Sequence, residues 1–85
     1  MQKLHFQLFF LRKLMSLHPP RWGAAHTEEI NLFKGLPKHI RGEKIVKMAL
    51  EELYKKEMII RFKKTNQLHV SLNPQKKKEI EDLLF

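Results

Sequence analysis

The chain of 85 residues carries 17 Lys and Arg against 9 Asp and Glu, a net charge of +8, and no cysteine. A domain of this length buries only roughly 60–65% of the surface its unfolded chain exposes, which argues against a large enclosed active site, and without cysteine there is neither a disulfide framework nor a thiolate metal centre. The positive charge attracts polyanions but does not specify a fold.

In chain order, residues 1–27 hold Lys3, Arg12, Lys13 and Arg21 and no acid. The apolar run Leu8–Leu11 is too short to span a membrane, is cut by Arg12 and Lys13, and lacks a small-residue cleavage site. A core helix in a cytoplasmic protein is therefore expected, with no membrane partner. At 100° per residue Leu4, Leu8, Leu11 and Met15 share one face, with Phe6, Phe10, Leu14 and Leu17 on its flank, an apolar arc of about 200°. Helix one is predicted over residues 2–17, ended by His18, Pro19 and Pro20, since proline lacks an amide donor and displaces its predecessor from helical geometry. Trp22, beside Arg21, reads as cover for the core edge.

Thr27 is placed to cap helix two, predicted over 28–34, with Glu28 and Glu29 in its first turn and Ile30, Leu32 and Phe33 following. Gly35 and Pro37 stop it. Helix three is predicted over 42–57, because Ile45, Val46, Ala49, Leu50 and Leu53 fall within one arc while Ile40 projects to the opposite side. "PKHIR" is then a cationic connection or an irregular first turn. Lys38, His39, Arg41, Lys44 and Lys47 gather there against Glu43. Further along the same helix Lys47, Glu51 and Lys55 are spaced i, i+4, so Glu51 is expected to neutralise both lysines.

From Met58 to Asn73 the period becomes two. Met58, Ile60 and Phe62 share a face with Leu68, Val70 and Leu72 only if the hairpin loop has an odd number of residues, which predicts a tip of Thr65, Asn66 and Gln67. Asn73 followed by Pro74 is a capping side chain and a first-turn proline, and the last helix is predicted over 74–84 with the stripe Ile80, Leu83, Leu84.

The histidines stand at 5, 18, 26, 39 and 69, none paired at i, i+3 or i, i+4. No metal or other cofactor is expected from such spacing. With no nucleophile motif and with glycines scattered at 23, 35 and 42, the chain does not read as an enzyme.

The order helix, helix, basic turn, helix, hairpin, with "KIVKMALEELYKKEMIIRF" running from a helix into a strand, resembles the winged helix-turn-helix domain. "HTEEINLFKGLPKHIRGE" and "HVSLNP" are also similar to small archaeal proteins of that type. The resemblance implies a single α+β, mostly helical domain over 1–85, with three helices, a two-stranded wing at 58–73 and an extra C-terminal helix. It further implies double-stranded DNA as partner, contacted by Lys38, His39, Arg41, Lys44 and Lys47 on the helix side and by Arg61, Lys63, Lys64 and Asn66 on the wing. A transcriptional regulator or DNA-associated accessory factor is the expected role; an interaction module of a larger assembly, or an RNA-binding domain, is the alternative. The family often has glycine where this chain has Glu57, and this wing tip has none. The wide arc of helix one and the striped last helix lead to an expected homodimer through Leu4, Leu8, Leu11, Ile80, Leu83 and Leu84.

Overall fold

Two stretches with a sustained helical period form the longest helices. A computed structural model, which describes residues 3–85, has α1 at Lys3–Ser16 and α3 at Lys44–Lys55. Between them lie the strand β1 (Thr27–Glu28), a 3-10 helix (Glu29–Phe33) and the single turn α2 (Lys38–Arg41). The strands β2 (Ile59–Lys64) and β3 (Gln67–Leu72), a 3-10 turn (Pro74–Lys76) and α4 (Lys77–Leu84) follow. The architecture is α+β, with a three-stranded antiparallel sheet in the order β1-β3-β2. Among the described residues no helix is long and apolar enough to cross a membrane. The start of the expected helix one, at residue 2, lies outside the described residues.

The core is α1 laid across the other elements. Phe6, Phe10, Leu11 and Leu14 are buried, together with Leu32, Val46, Ala49, Leu50, Leu53, Ile59, Val70, Leu72 and Ile80. Much of the about 200° arc of α1 is covered inside the chain, since α1 packs against α3, α4, β3 and the 3-10 helix at once, while Leu4 stays exposed. Phe10 meets Phe33 edge to face at 5.6 Å between ring centroids. Trp22 packs on the core edge, and its segment runs beside β3, with Gly23 N–H donating to the Leu72 carbonyl at 3.0 Å.

A small polar cluster crosses the α1–α3 seam. Gln7, buried, donates from Nε2 to the Ala49 carbonyl at 3.3 Å and to Glu52 Oε1 at 3.1 Å. Glu52 also pairs with Lys3, and with Lys56 at 3.1 Å. Lys3, then Gln7 and Lys56, hold the Glu52 carboxyl at about 2, below its ordinary 4.5.

Three expectations are corrected. Residues 28–34 are not an α-helix. Thr27 does not cap one, because its hydroxyl accepts from Asn31 Nδ2 at 2.8 Å, and Thr27 and Glu28 instead pair with Val70 and His69 on the open edge of β3. Only Glu29–Phe33 coils, as a 3-10 helix, before Gly35 at φ 101° ends the segment. Helix three begins at Lys44 rather than residue 42, because Gly42 closes α2 and Glu43 takes the extended N-cap geometry. Finally, the hairpin tip has two residues. Lys64 pairs with Gln67, leaving Thr65 and Asn66 at φ 50° and 65°, the paired positive angles of a type I′ turn. With an even loop the faces exchange: Ile59, not Ile60, enters the core beside Leu72, and Ile60 is 37% exposed.

Past α3 the chain makes a Schellman end, Met58 N–H to the Leu53 carbonyl and Glu57 N–H to the Tyr54 carbonyl, both at 3.0 Å, with Glu57 at φ 59°. Asn73 then works as expected: its Oδ1 accepts from Gln75 N–H at 3.0 Å, while its Nδ2 donates to the Glu57 carbonyl at 2.8 Å.

Two predictions follow from the seam and the helix end. Glu57→Gly relieves a side chain in left-handed geometry and raises unfolding free energy by about 1 kcal/mol in urea titrations. For Glu52, the unfolded chain binds more protons between pH 4.5 and about 2, so its contribution is complete above that window and is lost as pH falls through it. Glu52→Gln therefore lowers stability at pH 7 and flattens its acid dependence, as read from Tm against pH.

Candidate nucleic-acid interface

The joint between α2 and α3 concentrates the cations. It is shaped by a sharp entry: at Gly35, with φ 101°, an added Cβ would lie 3.3 Å from the Phe9 ring. Pro37 then precedes the one turn of α2. Lys38 and His39 on that turn, and Lys44 and Lys47 on the first turns of α3, are all exposed. Arg41 differs from them. It is half-buried, and its Nε donates to the Leu36 carbonyl at 2.9 Å, so it fastens its own loop.

The acids of α3 are occupied by partners from elsewhere. Glu51, expected to neutralise Lys47 and Lys55, instead accepts from Arg61 of β2 at 3.4 Å. Glu52 takes Lys3, Gln7 and Lys56. Among the described residues Lys38, Lys44, Lys47, Lys55, Lys63 and Lys64 form no ion pair. Arg61 is the hairpin cation that does, and its guanidinium also lies 4.4 Å over the Tyr54 ring, which makes it a brace between hairpin and α3. Tyr54 in turn donates to Glu29 Oε2 at 2.5 Å; burial first, then that carboxylate, push the phenol well above its ordinary pKa. Met48, 49% exposed, lies in the same shallow surface cleft as Lys3, Glu51, Glu52 and Lys55.

The register separates the hairpin lysines. Residues directly opposed across a ladder share a face, so Lys63, opposite Leu68, lies on the side of Ile59 and α3, whereas Lys64, opposite Gln67, lies on the outer side. Asn66 is exposed at the tip. The expected set is therefore brought together only in part: Lys38, His39, Lys44 and Lys47 at the joint, and Lys63 on the side of the sheet facing α3.

Sequence spacing missed a second cluster. On the outer sheet face His26 Nδ1 lies 2.9 Å from His69 Nδ1, and the Phe62 ring lies against both, 5.0 Å from His26 and 6.0 Å from His69 between centroids. Desolvation, followed by the charges of His69, Lys64 and Arg21, lowers the His26 pKa below its ordinary value. The two histidines stand 43 residues apart, and only the pairing of β1 with β3 joins them. A search at helical ligand spacings has no access to that contact.

The apolar residues expected at a dimer interface divide differently. Leu11 and Ile80 are fully buried in the chain's own core, which removes them from any interface. Leu8 and Leu84 are half-buried, while Leu4 and Leu83 are 52% and 42% exposed. In comparisons with known proteins, the chain matches no family, no curated protein and no solved structure.

The tip carries its own test. Thr65 is β-branched and sits at φ 50°, where asparagine is far better accommodated. Thr65→Asn is expected to raise stability by about 0.5–1 kcal/mol, a Tm increase of about 2–8 °C for a domain of this size, in a thermal melt followed by circular dichroism.

Proposed function

We propose that this chain is a winged-helix protein that binds double-stranded DNA through the α2–α3 joint and the β2–β3 hairpin, as a transcriptional regulator or DNA-associated accessory factor. The observation that carries the reading is the cluster of cations at the α2–α3 joint. The acids of α3 pair with Lys3, Lys56 and Arg61, and Lys44 and Lys47 stand with Lys38 and His39 as an exposed group in which no lysine forms an ion pair. Phosphate contacts from such a group fix a protein on the duplex, and counterions released from DNA supply much of the free energy. The element order and the three-stranded β1-β3-β2 sheet are consistent with the winged-helix reading, and Arg61 of the hairpin meets Glu51 and Tyr54 of α3. Lys63 lies on the sheet face toward α3; Arg41 and Arg61 act as scaffold.

The test compares two lysines of one helix. Lys44 and Lys55 differ by eleven positions, about 16 Å along the axis at 1.5 Å per residue, and each substitution by alanine removes the same charge. Lys44→Ala is expected to weaken duplex binding and to reduce the slope of log affinity against log salt by about 0.9 for the lost phosphate contact. Lys55→Ala leaves that slope unchanged. Equal losses and equal slopes would mean that net charge alone attracts DNA and would overturn the assignment of the joint.

A further inference from the structure

We propose that His26 and His69 form a two-histidine site for a late first-row divalent metal ion, of which Ni2+ and Cu2+ fit best. The two Nδ1 atoms face one another 2.9 Å apart on the outer side of the sheet, on half-buried side chains. At that distance the same two atoms serve either a shared proton or a common metal ion.

The separation discriminates between geometries. With metal–nitrogen bonds of about 2.0 Å, neighbouring ligands at right angles lie about 2.8 Å apart and tetrahedral ones about 3.3 Å apart. The observed spacing suits the first, the arrangement of square-planar and tetragonal Cu(II) and Ni(II). The rings are also held for the purpose, His69 by its place in β3 opposite Phe62 and His26 by edge contacts to both rings at 4.7 and 5.0 Å.

Charge sets the strength. Ligation needs neutral imidazoles, so binding strengthens as pH rises. Lys64 and Arg21 oppose a cation here, while Glu28, directly across the ladder from His69, lies on the same face and favours one. Among the described residues no third His, Asp or Glu completes the set, so water fills the remaining positions and the metal exchanges readily. The site lies apart from the α2–α3 joint and does not depend on DNA binding.

Ni2+ is the probe, added as the chloride to the full chain at pH 7.5. Paramagnetic broadening of the imidazole proton signals is expected first at His26, His69 and the neighbouring Phe62 ring, ahead of the exposed His5, His18 and His39. By calorimetry, His26→Gln and His69→Gln should each weaken Ni2+ binding at least about tenfold, whereas His39→Gln should not. At pH 5.5 binding should be lost, as protons compete for the ligands. Metal-free circular dichroism verifies that the variants are folded, and the signal order in the unsubstituted chain stands independently of them. Simultaneous broadening of all five histidines, or unchanged affinity in both variants, overturns the site.

Discussion

The parity of one turn governs the sheet. Because Thr65 and Asn66 alone close the hairpin, Ile59 opposes Leu72 and Phe62 opposes His69, and every side chain of β2 follows from that pairing. Ile59 with Val70 and Leu72 supplies the sheet's contribution to the core, Arg61 falls where it can meet Glu51 and Tyr54, and the aromatic and imidazole rings collect on the far side. A one-residue change in the tip would put Ile60 and Phe62 inward, dissolving the brace and taking the Phe62 ring away from the histidine pair. Turn geometry here reaches the chemistry of two surfaces.

That constraint is also where reading the residues went astray. Met58, Ile60 and Phe62 form a better alternating apolar set than Ile59 alone, so hydrophobic periodicity favoured the odd loop. Tertiary contacts outweighed it, since burying one branched Ile between α3 and β3 leaves Phe62 to pack with His26 and His69 instead. By contrast the apolar face of α3 was legible: Val46, Ala49, Leu50 and Leu53 are buried as their spacing required. The Asn73 cap was equally plain, being local chemistry. Residues 27–34 were not, because Asn31 takes the Thr27 hydroxyl and β3 takes its backbone, two partners of which a capping pattern contains only one.

At the candidate interface the exposed cations of the joint could be read from residue type and helical projection. Their engagements could not. Glu51 chose Arg61, ten positions away on a strand, over lysines at i−4 and i+4 on its own helix, because a planar guanidinium resting on Tyr54 is already ordered, whereas a free lysine loses more conformational freedom on pairing. The same logic holds for Arg41, whose fork closes its own loop. At this interface the lysines consequently remain as unpaired point charges, and Arg41 and Arg61 as its fasteners.

Asn73 sits at the root of the hairpin, where its backbone N–H donates to the Met58 carbonyl at 3.0 Å and its side chain binds the turn at Glu57. Arg61 adds one more support a short way along. Beyond the β1 pairing at His69, which opposes Phe62, the ladder of Lys63 and Lys64 with Leu68 and Gln67 is a beam anchored at one end, and three residues to the tip at about 3.3 Å each reach about 10 Å. Deflection of a cantilever grows steeply with distance from its clamp. Any angular play at the root is thus magnified toward the tip, where Lys63 and Lys64 stand, while the clamped base stays with α3.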